Sequence, residues 1–151
     1  TFTILIPFKL SGRVHEPKQL SGKESLSGCK ILLVEDGILN QKLAKKILSS
    51  YDAVVDIADN GAIALEFLAE KSFDIILLDI QMPVMDGFTT AKNIRNKLKL
   101  TLPIIAVTGH SQYGEEGKCI NAGMNDYLSK PFSKEDLFRI VMKYYKKNNT
   151  I

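Results

Sequence analysis

The chain has 151 residues, of which 45% are hydrophobic and 25% are charged, a composition typical of a globular protein with one domain and an appendage. Its formal net charge of +3 comes from scattered lysines and not from a dense basic stripe, which argues against a nucleic-acid partner. No apolar run reaches the roughly 20 residues of a membrane helix, and the cysteines, Cys29 and Cys119, form no zinc or disulfide motif, so we expect a soluble, cytoplasmic module with no membrane partner.

The first 28 residues differ in pattern from the rest of the chain. Residues 2–8 form a short, β-prone apolar run that ends next to a proline. Residues 9–28 contain three Ser-Gly pairs and sustain no helical or strand period, which is typical of a linker. Because the chain begins at Thr1 without an initiator methionine, we expect it to be a fragment of a longer protein.

From residue 29 onward, apolar strand patterns alternate five times with helical patterns. The predicted strands are 30–34, 53–57, 74–78, 103–107 and 126–128, and the predicted helices are 38–50, 62–71, 87–98, 112–121 and one opened by Ser133 with Asp136 as its capping partner. In the first helix, one apolar face is predicted from Leu39, Leu43, Ala44, Ile47 and Leu48. Gly114 and Gly117 are predicted to weaken the fourth helix, which we expect to be locally the least stable.

The strand patterns at 31–34 and 75–78 are continuously apolar. Such runs are typical of parallel strands that are covered by helices on both faces. The sequence therefore predicts an α/β fold, a doubly wound (βα)5 parallel sheet. In sheets of this kind, ligands bind at the carboxyl ends of the strands.

Polar side chains follow four of the five predicted strands. Glu35 and Asp36 follow the first strand, Asp79 the third, Thr108 the fourth and Lys130 the fifth. Three carboxylates brought together repel one another, and Mg²⁺ is the cation that best suits such oxygen ligands. A carboxylate nucleophile, Mg²⁺ and hydroxyl or ammonium donors are the parts of a phosphoryl-transfer site. Each residue alone has an ordinary explanation as a turn former, a strand end or a solvated charge, so only the whole set indicates a phosphoacceptor.

These residues lie in motifs that resemble response regulator receiver domains over about residues 29–147, leaving 148–151 as a tail. The motifs are ILLVED at 31–36, LLDIQMPVMDG at 77–87, AVT at 106–108 and YLSKPF at 127–132. The likeness is strongest to receivers of hybrid sensor histidine kinases, given Asn40-Gln41 and the GMNDY segment at 123–127. The resemblance implies a flavodoxin-like sheet with strand order 2-1-3-4-5. Residues 1–8 are similar to the terminal strand of a histidine-kinase ATPase domain, and an unrelated apolar stub is the alternative.

The resemblance implies that Asp79 accepts a phosphoryl group in a Mg²⁺-dependent reaction that the domain itself promotes, as it does the later hydrolysis. Asp36, Asp79 and the backbone carbonyl of Gln81 would bind the metal directly, and Glu35 would support it through water. Lys130 would contact a phosphoryl oxygen.

Further roles implied by the resemblance concern signalling. Thr108 would move to donate a hydrogen bond to the phosphoryl group, and Tyr127 would turn inward, as in a two-state element biased by the new charge. Gln81 and His110 would tune the rate of hydrolysis. Ile38 is either a partner-docking contact or a stray surface isoleucine. The implied partners are the phosphohistidine of a histidine kinase and a histidine phosphotransfer domain, and a weak homodimer stays open.

Two departures from the family pattern stand out. Gly37 follows the acidic pair where Asn or Asp is more usual, so we expect a looser loop, and Gly109 replaces the usual alanine, so we expect open access to the phosphoryl group. Two other functions fit the sequence less well than a receiver. A phosphatase of the aspartyl-phosphate type needs a second carboxylate where Gln81 stands. A phosphorylation-independent pseudo-receiver usually lacks part of the acidic pair, aspartate and lysine set, all of which is present here.

Overall fold

The computed structural model describes residues 24–109 and 114–149, so the predicted strand at 2–8, most of the linker and His110 lie outside them. Within these ranges the chain alternates strictly between strands and helices. The strands are β1 (Lys30–Val34), β2 (Val54–Ala58), β3 (Ile75–Asp79), β4 (Ile104–Thr108) and β5 (Asp126–Ser129), and the helices are α1 (Ile38–Ser49), α2 (Gly61–Glu70), α3 (Gly87–Asn96), α4 (Glu115–Asn121) and α5 (Lys134–Asn149). In the described part, no helix combines the length and the apolar character needed to cross a bilayer.

The strands form one parallel sheet in the order β2-β1-β3-β4-β5, which confirms the predicted fold class and strand order. The register pairs Val34 with Leu78 and Asp79 with Val107. It also pairs Thr108 with Ser129, next to Lys130. The carboxyl ends of β1, β3, β4 and β5 therefore lie side by side along one edge of the sheet.

Each face of the sheet is covered by its own hydrophobic core. Residues of odd number in β1 and β3 face α1 and α5, and their cluster includes Ile31, Leu33, Ile75, Leu77 and Val141. Residues of even number face α2, α3 and α4, and that cluster includes Leu32, Val34, Ile76, Leu78 and Ile94. Because a strand alternates its side chains, covering both faces requires the continuously apolar runs seen in the sequence.

The packed unit begins earlier than the predicted linker boundary between residues 28 and 29. Leu26 is fully buried in the α1 and α5 core. Its backbone N–H donates a hydrogen bond to the Tyr51 carbonyl oxygen at 2.7 Å. The end of the predicted linker is therefore part of the domain.

Side-chain caps are present at the start of two helices, and the one at Ser133 was predicted. The Asp86 side chain accepts a hydrogen bond from the Thr89 N–H at the start of α3. At the start of α5, the Asp136 N–H donates to Ser133 Oγ at 3.0 Å, while the Ser133 N–H donates to Asp136 Oδ2 at 3.1 Å. This reciprocal pair satisfies backbone N–H groups that have no partner within the helix.

Two details of the predicted helices are wrong. In α1, Leu39 is 81% exposed and Leu43 is 51% exposed, while Ala44, Ile47 and Leu48 form the buried face. Leu43 lies about 100° around the helix from Ala44, outside the narrow strip that meets the sheet. In α4, Gly114 is the N-cap, with a φ of 106° that glycine adopts without steric penalty, so only Gly117 lies inside the helix.

Candidate functional site

The carboxyl edge of the sheet brings together the five polar residues that follow the strands. Glu35, Asp79 and Thr108 are buried, whereas Asp36 is exposed and Lys130 is partly buried. Carboxylate oxygens of Glu35, Asp36 and Asp79 all lie within 4.8 Å of one another. The parallel register thus gathers groups that are far apart in the sequence into one small acidic pocket.

Lys130 ties the acidic pocket together across the sheet. Its Nζ donates to Glu35 Oε2 at 2.7 Å and to Asp79 Oδ2 at 3.3 Å. The lysine side chain is 21% exposed, while those of Glu35 and Asp79 are 5% and 8% exposed. A single ammonium group therefore pairs with two of the three carboxylates, and the pocket keeps an excess of negative charge.

The crowding of negative charge acts on Asp79 by making its ionised form less favourable. Burial, followed by the negative charge of Glu35, raises the pKa of Asp79 to about 6, against the opposing effects of Lys130 and of the Gln81 N–H. Burial would also raise the pKa of Glu35, but hydrogen bonds from Lys130 and from the Gly37 N–H lower it. Burial would lower the pKa of Lys130, but its pairing with Glu35 and Asp79 raises it.

The donor set of the pocket suits a hard divalent cation. All three side chains offer carboxylate oxygens, the ligand type that Mg²⁺ prefers over the nitrogen and sulfur ligands of zinc sites. Both carboxylate oxygens of Glu35 already accept short hydrogen bonds, Oε1 from the Gly37 N–H at 2.9 Å and Oε2 from Lys130. Asp36 is exposed, and Asp79 Oδ1 accepts only a long hydrogen bond of 3.2 Å from the Gln81 N–H. Direct metal contacts are therefore easier for the two aspartates than for Glu35.

The loop after β3 holds Asp79 in place through a close backbone approach that the motif analysis missed. The Gly87 N–H donates to the Ile80 carbonyl oxygen at 2.9 Å. A Cβ at Gly87 would collide with the Asp79 carbonyl oxygen and would lie 2.8 Å from Ile80 Cα. Because Gly87 has no side chain, α3 can start against the backbone of β3.

The Thr108 hydroxyl is held by a residue that the motif analysis did not single out. Thr108 Oγ1 donates to Glu115 Oε2 at 2.8 Å, at the first residue of α4. An acidic residue in the first turn of a helix is ordinary, because it complements the helix dipole, so the sequence offered no signal for this contact. Next to Thr108, and apart from the immediate chain neighbours, no atom of the described residues lies within 4 Å of the place that a Cβ at Gly109 would take.

Two other predicted functional residues, Tyr127 and Ile38, lie at the surface. Tyr127 in β5 is 41% exposed and so occupies an outward position. Ile38, at the start of α1, is 65% exposed and adjoins the exposed Leu39. His110 lies outside the described residues.

Known proteins are similar to this chain over most of its length. A model of the response regulator receiver domain matches residues 31–142. Hybrid signal transduction histidine kinase B of Dictyostelium discoideum is 38% identical over 126 residues, which cover 76% of this chain and 6% of that protein. Signal transduction histidine-protein kinase BarA of Escherichia coli is 37% identical over 122 residues, covering 80% of this chain and 13% of BarA. The chain thus spans a small part of the length of these relatives.

Solved structures show the same likeness. The receiver domain of sensor histidine kinase PA1611 from Pseudomonas aeruginosa PAO1, with a magnesium ion coordinated in its active site cleft, is 36% identical with a TM-score of 0.73, covering 80% of this chain and 99% of that domain. The receiver domain of Francisella response regulator 1452 is 26% identical with a TM-score of 0.76, covering 80% and 99%. Together with the matched family model, these relatives show that the chain belongs to the response regulator receiver domain family of two-component signalling.

Proposed function

We propose that this chain accepts a phosphoryl group from a phosphohistidine onto Asp79, with Mg²⁺ bound at the adjacent carboxylates. The observation that carries the proposal is the position of Asp79, within 4.8 Å of two other carboxylates and 3.3 Å from the Lys130 ammonium. A nucleophilic carboxylate beside a fixed cation and a site for a divalent ion is the arrangement that phosphoryl transfer requires. Membership of the receiver family supports the same role.

The side chains of Asp36 and Asp79 and the backbone carbonyl of Gln81 would hold Mg²⁺, and Glu35 would support it through water. When bound, the ion would neutralise the carboxylates and the charge of the phosphoryl oxygens. The hydrogen bonds already made by Glu35 favour its indirect role.

In the reaction, one oxygen of Asp79 attacks phosphorus while the phosphorus–nitrogen bond of the phosphohistidine breaks, and the histidine leaves with the electron pair. Lys130 already contacts Asp79 Oδ2 and would shift to a phosphoryl oxygen. Thr108, buried at the end of the neighbouring strand, would donate a hydrogen bond to another phosphoryl oxygen. Tyr127 would then turn inward, and Gln81 and His110 would tune hydrolysis of the acyl phosphate.

The proposal is tested by incubating the protein with acetyl phosphate and Mg²⁺ and measuring its intact mass. We expect one base-labile phosphate on the wild type and none on Asp79→Asn or in the presence of a chelator. Glu66→Gln, an exposed change on α2 with the same loss of charge, should be labelled like the wild type. Labelling that persists in Asp79→Asn would place the nucleophile elsewhere, and an unlabelled wild type would favour the pseudo-receiver.

The parent protein is proposed to be a hybrid histidine kinase located in the cytoplasm or anchored to a membrane by other segments. Support comes from the relatives, which include hybrid kinases much longer than this chain. Residues 1–8 would then end the ATPase domain of that kinase. The partners would be its phosphohistidine and a histidine phosphotransfer domain, with the exposed Ile38 as a docking contact.

A further inference from the structure

We infer that Glu115 acts as a latch on the Thr108 hydroxyl, a positioning residue that holds this donor in the resting protein and competes for it with the phosphoryl group. The inference rests on the proposed phosphorylation of Asp79. It adds a residue outside the acidic pocket to the control of that site. It also gives the switch a defined physical connection to α4.

The contact itself is short and partly shielded from water. Thr108 is 5% exposed, and its Oγ1 lies 2.8 Å from Glu115 Oε2, with the threonine as donor. Glu115 is partly buried, whereas Glu116 in the same helical turn is exposed. A hydrogen bond to a carboxylate is stronger than one to a neutral acceptor, so Glu115 holds the hydroxyl firmly.

A phosphoryl group on Asp79 would accept a hydrogen bond from the same Thr108 hydroxyl. A hydroxyl carries one O–H and donates it to one principal acceptor at a time. Asp79 pairs with Val107 in the sheet, which places Thr108 one residue beyond the nucleophile on the neighbouring strand. When the phosphoryl group, with a charge of about −2, appears there, it offers a stronger acceptor and also repels the Glu115 carboxylate.

Release of the Glu115 contact would be felt first at the start of α4. The N-cap of this helix, Gly114, makes no side-chain capping hydrogen bond, and Gly117 lies in the helix interior. Cys119 is the buried residue of α4. A helix this short and lightly packed depends on each contact, so losing the tie to Thr108 would free its first turn. By linkage, whatever loosens Glu115 strengthens binding of the phosphoryl group to the same extent.

The alternative explanation is that Glu115 only complements the helix dipole. That role would be shared with Glu116, which has the same charge in the same turn. The two explanations differ in one respect. A latch acts through the Thr108 hydroxyl, whereas a dipole or a general charge effect does not.

The test is a titration of the full chain with beryllofluoride, a phosphoryl mimic, in the presence of Mg²⁺, followed by calorimetry. Glu115→Gln keeps the side-chain shape but weakens the acceptor, and we expect it to bind beryllofluoride about fivefold more tightly than the wild type. Glu116→Gln is the matched control and should change the affinity by less than about twofold. In a Thr108→Val background, which removes the donor, Glu115→Gln should no longer change the affinity.

Amide exchange of α4 without beryllofluoride gives a second readout. Glu115→Gln and Thr108→Val should each speed exchange in the first turn of α4, and the double variant should add little to either one. The latch is wrong if Glu115→Gln matches Glu116→Gln, or if its effect persists with Thr108→Val. A wild type that binds no beryllofluoride and takes no phosphate would instead refute the proposed function, and the latch with it.

Discussion

Replacing Asp79 by asparagine is expected to stabilise the metal-free protein, although it removes the proposed nucleophile. In the wild type, burial and the charge of Glu35 raise the pKa of Asp79 from 3.8 to about 6. The native state therefore binds a proton at Asp79 more tightly than the unfolded state does, so ionisation lowers the free energy of unfolding. Asparagine keeps the shape without the charge, and Lys130 retains Glu35 as its partner at 2.7 Å.

The sign and size follow from this raised pKa. Stability associated with the protonated Asp79 is fully present below about pH 3.8 and is lost as the pH rises through about 6. The loss at pH 8 is at most about 3 kcal/mol, and the 8% exposure of the side chain leaves little solvent screening. We expect Asp79→Asn to raise the free energy of unfolding by roughly 1 to 3 kcal/mol, or Tm by about 4 to 12 °C.

The assay is urea or thermal unfolding in a chelating buffer at several pH values. The gain should be largest at pH 8 and should fall to about a third of that value at pH 4.5. Added Mg²⁺ should stabilise the wild type and not the variant, because a ligand that binds the native state shifts the unfolding equilibrium. Glu66→Gln, the exposed control on α2, should show neither effect. An Asp79→Asn protein no more stable than the wild type at pH 8, or a gain independent of pH, would refute this account.

The remaining predictions concern backbone conformation or packing at three positions and the hydrogen bonds of Arg95. Gly87→Ala should lower the free energy of unfolding by about 2 to 3 kcal/mol, because the added methyl collides with backbone atoms of β3; urea unfolding equal to the wild type would contradict that. Gly117→Ala should instead stabilise α4 by about 1 kcal/mol, because no described atom beyond the helix's own backbone and the chain neighbours lies within 4 Å of the added Cβ. In the wild type, amide exchange should be faster in α4 than in α5. In the variant, exchange in α4 should be slower than in α4 of the wild type. Val84→Asn should add up to about 1 kcal/mol of stability by thermal unfolding, since Val84 is exposed and has a φ of 71° that asparagine adopts more easily. Arg95→Lys should lower the free energy of unfolding by about 2 to 4 kcal/mol. The guanidinium donates to four acceptors, which a lysine cannot all reach: the carbonyl oxygens of Gly123, Leu100 and Leu102 and Asn125 Oδ1. An unchanged urea midpoint would show that these hydrogen bonds contribute nothing to stability.

The parallel sheet and the identity of the pocket residues could be predicted from the sequence for a simple reason. Strands buried on both faces leave continuously apolar runs, and parallel strands place all their carboxyl ends on one edge. Once Ile31–Val34 and Ile75–Leu78 are recognised as such strands, Glu35, Asp36 and Asp79 must lie near one another. The caps at Asp86 and Ser133 are equally local, because their hydrogen bonds join residues three apart.

The width of the buried face of α1 was not predictable in the same way. Leu39 and Leu43 belong to the apolar stripe of the sequence, yet both are exposed. An apolar pattern states which residues could be buried, whereas the strip that meets the sheet depends on how the helix lies on it. The start of α4 was also misplaced, because Gly114, with its left-handed φ, is the N-cap of a helix that begins at Glu115, where composition alone allowed an earlier start.

By itself, the sequence determined the alternation of elements, the two cores and the set of groups at the sheet edge, since these depend on local periodicity and on the chain order of the strands. Only the tertiary structure decided that Glu115 accepts a hydrogen bond from the Thr108 hydroxyl and that Gly87 lies against the Asp79 backbone. The physical reason is that both contacts depend on the position of one helix relative to one strand. Distances of that kind, at the scale of a single atom, leave no periodic trace in the order of the residues.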